Sequence, residues 1–344
     1  MKILETFRTQ ARACDELGSP LYGELLRKLV DDYEVGGAST AVLAGHENDP
    51  GPSALALRLL GSVHRLVLAG EVPELAAFYP SVGGEWDPVL GWEAFEQVLR
   101  SRGSELRSLL NQPPQTNEVG RAAALYGGLL QLAGDLPVRL FEIGSSAGLN
   151  LRADHYRYDL ADGSSYGSMD SPVRIADAWA GRTLPSVEVR IAERVGSDIA
   201  PVDALSEDGR LTLMSYVWPD MTVRLARLRG ALDVARLVPA DVRREDAVSF
   251  LRAVEPADGF LTVVWHSVMW QYLSVEDRAA GVAAIERLGA RASALAPVAH
   301  LSMEPARRTP SSPHEFLVTA QVWPTGERRI LGAAAPHGVP TVWE

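Results

Sequence analysis

With 344 residues, 47% of them hydrophobic, the chain has material for one large or two ordinary domains and a full core, which excludes a disordered protein. A formal net charge of -11 argues against non-specific binding to a nucleic-acid backbone or an anionic membrane. The single cysteine, Cys14, excludes an intrachain disulfide and a thiolate-rich metal site, in keeping with a reducing cytoplasm. The first residues, Met1-Lys2-Ile3-Leu4-Glu5, turn charged at once, so no signal peptide is predicted. No apolar run approaches the roughly 20 residues of a membrane span.

From Leu4 to about Gly134 the apolar residues recur at helical spacing. Pro20 opens a helix bearing Leu21, Leu25, Leu26 and Leu29. Ser53 is placed to cap the next, which carries Leu55, Leu59, Val63 and Leu66. Trp92, Phe95, Val98 and Leu99 form another apolar face, and Gln112-Pro113-Pro114-Gln115 ends the helix after it. Asn117, Glu118 and Arg121 begin a further helix through Leu132, either as a cap with an ion pair or as the polar mouth of a cleft. Residues 1–135 therefore read as a helical cap domain.

From Val138 on, strands alternate with helices. Val138 to Ile143 is a strand bounded by Pro137 and Gly144. The small-residue turn Gly144-Ser145-Ser146-Ala147-Gly148 and a helix start at Leu149 follow, where free N–H groups suit an anionic group. Residues 156–171 read as turns or short hairpins. Predicted strands are Val187 to Ala192, Leu211 to Val217, a short one at Ala240 to Ala247, Phe260 to His266 and Pro297 to Met303. Phe316 to Val322 and Arg329 to Ala334 form a closing hairpin, and Ser274 caps a helix bearing Val282, Ile285 and Leu288. The order predicts a mostly parallel sheet with an antiparallel end, whose ligands bind beyond the carboxyl ends of the strands.

Two chemistries use such a turn. Gly144-Ser145-Ser146-Ala147-Gly148 matches G-x-S-x-G, with Ser146 as the nucleophile of a serine hydrolase. Against this, everything before Val138 is helical, and no His-Gly-Gly loop is present to complete an oxyanion hole. The other reading is a nucleotide-type cofactor turn after the first strand. No phosphate loop or H-E-x-x-H pattern occurs.

Glu142, Gly144, Ser146 and Gly148, with Phe260 to Tyr272 and the closing hairpin, resemble the class I S-adenosylmethionine-dependent methyltransferase superfamily. Ser146 stands where that family has its middle glycine. Gln115-Thr116-Asn117-Glu118, Glu142-Ile143-Gly144 and Val217-Trp218-Pro219-Asp220 also resemble an uncharacterised bacterial family of unknown function. The methyltransferase resemblance implies a Rossmann-like, mostly parallel seven-stranded sheet over 136–344, with an insertion at about 156–210. It implies S-adenosylmethionine as cofactor, held by Glu142, Gly144, Ser145, Ser146, Gly148 and Asn150. A carboxylate after the second strand would take the ribose hydroxyls. Asp220 is preferred to Asp198, because that choice keeps the strand count and leaves Asp246 for the adenine edge. His266 is the candidate base. Asn117, Glu118, Arg121, Trp218, Ser267, Trp270 and Tyr272 are candidate lining for a small-molecule acceptor. A Rossmann-like domain that binds a ligand without catalysis is the third reading. Neither nucleic acid nor membrane is an expected partner, and oligomeric state stays open.

Overall fold

Pro20 fixes the first turn of a helix that Ser19 caps through its Oγ, which accepts from the Tyr22 N–H. Local signals of this kind set most of the elements in the computed structural model, which describes residues 2–49, 53–111 and 114–344. In chain order these are α1 (Lys2–Glu16), α2 (Pro20–Glu34), α3 (Ala38–Leu43), α4 (Leu55–Leu68), α5 (Pro73–Ala76), α6 (Leu90–Ser101), α7 (Gly103–Leu109) and α8 (Ala122–Leu132). Then come β1 (Val138–Ile143), β2 (Arg157–Asp159), β3 (Ser165–Gly167), β4 (Arg174–Ile175), β5 (Trp179–Gly181), β6 (Ile191–Asp198), α9 (Glu207–Ser215) and α10 (Thr222–Leu237). The chain ends with β7 (Asp241–Arg244), α11 (Ala247–Ala253), β8 (Leu261–Ser267), α12 (Val275–Gly289), β9 (Val298–Arg307), β10 (His314–Trp323), β11 (Glu327–Ala334) and β12 (Thr341–Trp343). Among the described residues no helix is long and apolar enough to cross a membrane.

The chain divides into two compact units. One holds 1–116 and 206–226, the other 117–205 and 227–344. The helical unit thus ends before the expected 135 and takes in a later segment. Its core gathers Phe7, Leu25, Leu59, Leu60, Phe95, Leu106 and Trp218. Ser53 does not cap α4, whose first turn follows Ala54 without a side-chain cap. Gln112 and Pro113, expected at a helix end, lie outside the described residues.

The predicted strand Leu211 to Val217 is instead the end of a helix through Ser215 and the turn that follows it. Ser206 caps α9 by accepting from Gly209 N, and Glu207 and Asp208 sit in its first turn, where carboxylates favour helix. Asp220 therefore follows no strand. Its carboxylate accepts from Ser19 Oγ at 2.6 Å and Leu21 N at 3.1 Å, within the helical unit.

In the second unit nine strands make one sheet, ordered β5-β12-β11-β10-β9-β8-β1-β6-β7. From β9 to β7 all neighbours are parallel. β10 and β11 add the antiparallel hairpin, completing the seven expected strands, and β12 and β5 extend them. β1 lies buried between β6 and β8, as its apolar composition requires. The expected insertion is shorter than 156–210. It holds β2 to β5, and β6 then enters the main sheet four residues later than the strand predicted at Val187. In the small sheet β3-β2-β4, Asp159 gathers Arg157, Ser165 and Arg174, which holds its carboxyl at about 2.

Candidate functional site

The strand order reverses around β1. The chain passes from β1 to β6 and β7 on one side, then returns to β8 and β9 on the other. In open α/β sheets that reversal opens a crevice at the carboxyl ends, where ligands bind. The turn after β1 lies there. Gly144, Ser146 and Gly148 all have left-handed backbones, at φ 64°, 52° and 65°. Two are glycines, the residue least strained there, and Ser146 is the exception. Three bonds tie the turn to β6: Ser145 N and Ser145 Oγ donate to Ser197 O at 3.0 and 3.3 Å, and Ser146 N donates to Asp198 Oδ2 at 2.8 Å. Asp198 Oδ1 accepts from Ala200 N at 2.9 Å. The expected helix after the turn is a 3-10 stretch, Leu149–His155, kinked at Arg152. Its Leu149 N–H is already taken by Asn117 Oδ1 at 3.0 Å.

Beneath the turn lies a buried polar group. Glu142 is 3% exposed, and burial pushes its carboxyl up to about 8, against smaller downward pulls from Trp265, Arg152 and Asn150. Arg152 holds the carbonyls of Gly148 and Val238, at 2.7 and 2.8 Å. Asn150 Nδ2 donates to Glu118 O at 3.3 Å. Asn117 and Asn150 thereby dock the segment before α8 on the turn.

That segment has its own buried carboxylate. Glu118 Oε1 accepts from Gly120 N at 3.0 Å and lies 4.0 Å from Arg227 Nη1. Its Oε2 is 3.3 Å from His337 Nδ1. Arg121 reaches Ser267 O, at the end of β8, and Pro336 O, at 3.5 and 3.4 Å.

Across the crevice, β8 ends on a strained turn. Val268 is left-handed at φ 52°, a conformation that a β-branched residue rarely adopts. Glu304 is the hub of this turn. Its Oε1 accepts from His266 Nδ1 at 2.8 Å, Met269 N at 3.1 Å and Trp270 N at 3.3 Å. His266 Nε2 meets His300 Nε2 at 2.9 Å, and the Trp270 ring stacks on His266 with centroids 4.7 Å apart. While these bonds hold, both ring nitrogens of His266 are engaged, by Glu304 and by His300. Met269 lies over Gly144, where an added Cβ would meet its Cβ at 2.9 Å. Tyr272 is exposed.

Burial, with His266 and Arg328 adding to it, holds His300 well below the usual histidine value of 6.5. The unfolded chain then binds a proton that the folded one refuses. Stability from this site is complete above about pH 6.5 and falls as pH drops below it. Urea unfolding at stepped pH is expected to show that acid-side loss, and His300→Gln to reduce it. An unchanged slope in the variant would assign the loss elsewhere.

Not all candidates meet. Asn117, Glu118, Arg121, Glu142, Gly144, Ser145, Ser146, Gly148, Asn150, Asp198, His266, Ser267 and Trp270 stand at or beside the carboxyl ends of β1, β6 and β8. Asp220 and Trp218 belong to the helical unit, where Trp218 packs in the core against Tyr22, centroids 6.2 Å apart. Asp246 follows β7 but serves as the N-cap of α11, accepting from Ser249 N at 2.9 Å. Sequence reasoning passed over Glu304 and Arg152. Glu304 was within reach, since it directly follows the predicted strand end at Met303. Among the described residues, no group of three or more His, Cys, Asp or Glu is placed to hold a metal ion.

A family model described as "Uncharacterized protein conserved in bacteria (DUF2332)" matches residues 4–343. The chain belongs to the DUF2332 family. A search of curated proteins gave no match. Among solved structures this DUF2332 chain is similar to the plantazolicin methyltransferase BpumL, crystallised with a triazolic desmethylPZN analog and SAH. Identity is 12%, the TM-score is 0.25, and the alignment covers 72% of the DUF2332 chain and 59% of that chain.

Proposed function

We propose that the sheet unit binds S-adenosylmethionine at the carboxyl ends of β1, β6 and β8, and that the protein methylates a small molecule. The observation that carries this reading is the Asp198 carboxylate, at the end of the strand beside β1, bonded to the Ser146 N–H of the left-handed turn. A carboxylate oxygen that accepts one N–H keeps a further lone pair. Both Asp198 oxygens therefore stay competent to accept vicinal hydroxyls, as a ribose presents them. When bound, the cofactor supplies an activated methyl group. The protein's part is to hold it: the Gly144–Gly148 backbone on one side, Asp198 on another, and buried Glu142 beneath. Arg121, Ser267 and Trp270 are the acceptor-side candidates. Methyl transfer gains mainly from alignment, so a base is needed only for an acceptor that must lose a proton. That suits a site whose histidine is already engaged.

The test is calorimetry with S-adenosylhomocysteine. Asp198→Ala is expected to weaken binding by about tenfold or more, the loss of a hydrogen-bonded charged contact. Asp220→Ala, which strikes a cap in the helical unit, should leave it within about twofold. No binding to wild type at millimolar concentration, or equal loss in both variants, would defeat the proposal.

A further inference from the structure

Three polar atoms with no hydrogen-bond partner among the described residues lie beneath the Gly144 turn: Glu142 Oε2, Asn150 Oδ1 and Trp265 Nε1. All three side chains are at least 97% buried. Buried polar groups in native proteins are nearly always satisfied, so such a cluster requires an explanation. The Asn150 and Trp265 side chains both lean on the Glu142 carboxyl. Asn150 points its Nδ2 at the Glu118 carbonyl, an acceptor, which leaves its oxygen as the orphan. Ionised, Glu142 would keep a buried carboxylate oxygen, Oε2, that accepts from no donor, and the pulls of Asn150 and Trp265 toward the ionised form are smaller than the cost of burial. A proton on the carboxyl is the donor that joins them.

We propose that Glu142 is a neutral acid at neutral pH, donating from its carboxyl to Asn150 Oδ1, and that it releases this proton to solvent when a cationic group docks on the Gly144 turn. Trp265 Nε1–H donates to the same carboxyl, and Asn150 passes the connection on to Glu118 O. The acid thereby couples the turn to the segment that opens α8. The charged groups acting on it are Arg152 from the 3-10 stretch and Asp198 from β6, and the Tyr156 phenol lies within electrostatic range. Arg152 pulls toward ionisation, but its guanidinium is committed to Gly148 O and Val238 O. Burial wins, and the folded carboxyl sits near 8 against 4.5 for the ordinary group. The release step rests on the cofactor reading. The protonation does not.

The linkage has a definite sign. The folded state holds a proton that the unfolded state has lost. Stability from it is full below about pH 4.5 and declines up to about pH 8, by about tenfold in the folding constant per pH unit. Glu142→Gln keeps a donor for Asn150 and an acceptor for Trp265 without titrating. Unfolding of wild type and Glu142→Gln across that range is expected to diverge as pH rises, the variant becoming the more stable. Parallel curves would overturn the neutral acid. Should the variant fail to fold, infrared spectra of glutamate-labelled wild type decide: a protonated-carboxyl band at pH 7 is expected, and its absence overturns the proposal. The release step is read from S-adenosylhomocysteine calorimetry in two buffers of different ionisation enthalpy. About one proton should leave on binding near neutral pH. Binding without release overturns that step alone, and no binding at all defeats the cofactor reading while leaving the stability test intact.

Discussion

Glu304→Ala is expected to lower the unfolding free energy by about 3 kcal/mol and to loosen the turn at Val268–Tyr272. The side chain is 15% exposed, so its bonds are not merely surface contacts. Its removal leaves His266 Nδ1 and the N–H groups of Met269 and Trp270 without their acceptor. A buried donor left unpaired costs about 1–3 kcal/mol. The Trp270 bond is long and its loss the lightest, which keeps the sum near the lower end. Val268 adds to the effect. Its left-handed backbone is held by Val268 N donating to Met303 O at 3.0 Å and by the Glu304 bonds that follow it in the chain. Glu304→Gln retains an uncharged acceptor and should lose about 1 kcal/mol. Urea unfolding measures both, with an unchanged m-value marking a true stability change. Hydrogen exchange should show faster opening at Met269 and Trp270 in the alanine variant. A loss under about 0.5 kcal/mol, with protection unchanged, would remove Glu304 as the hub of this turn.

The same region shows how far the sequence could be read. The strand–turn beginning at Val138 was legible because its signals are local: an apolar run between Pro137 and Gly144, then a turn whose glycines take left-handed backbones. Ser274 was legible as a cap for the same reason, and its Oγ accepts from Asp277 N. The second strand was not. β6 reads Ile-Ala-Glu-Arg-Val-Gly-Ser-Asp, polar and glycine-bearing, while the more apolar Leu211 to Val217 looked the better strand. Gly196 explains that composition. A Cβ there would lie 2.9 Å from Ser145 Cβ, so the strand yields its side chain to let the turn approach. Packing against β1, distant in the chain, decides this, and no local pattern carries it. The choice of Asp220 over Asp198 followed from that one misplaced strand. Glu304 escaped for a related reason. Its partners lie on β8 and the turn after it, and only the β8–β9 pairing brings them together.

Gly338→Ala should be the most damaging glycine substitution near the site, at roughly 2–5 kcal/mol. Two terms add. The first is conformational: φ is 85°, where an L side chain is strained by about 1–2 kcal/mol. The second is packing. A Cβ there would stand 2.5 Å from both Arg121 Cα and Gly120 O, and 2.6 Å from Arg121 N. These are backbone atoms, so no flexible side chain can swing aside. The loop carrying His337 would have to lift from the Glu118–Arg121 segment that docks on Leu149 and Asn150. Gly326 separates the terms. It has φ 72° but nothing within 4 Å of an added Cβ, so Gly326→Ala feels the conformational term alone, about 1 kcal/mol. The difference between the two variants in urea unfolding is the packing term. A proton-linked, turn-centred site predicts one thing more. Gly338→Ala, by disturbing Glu118, should also weaken S-adenosylhomocysteine binding, whereas Gly326→Ala should not. Equal stability losses in the two variants would show that the 336–338 loop yields freely and does not clamp the segment before α8.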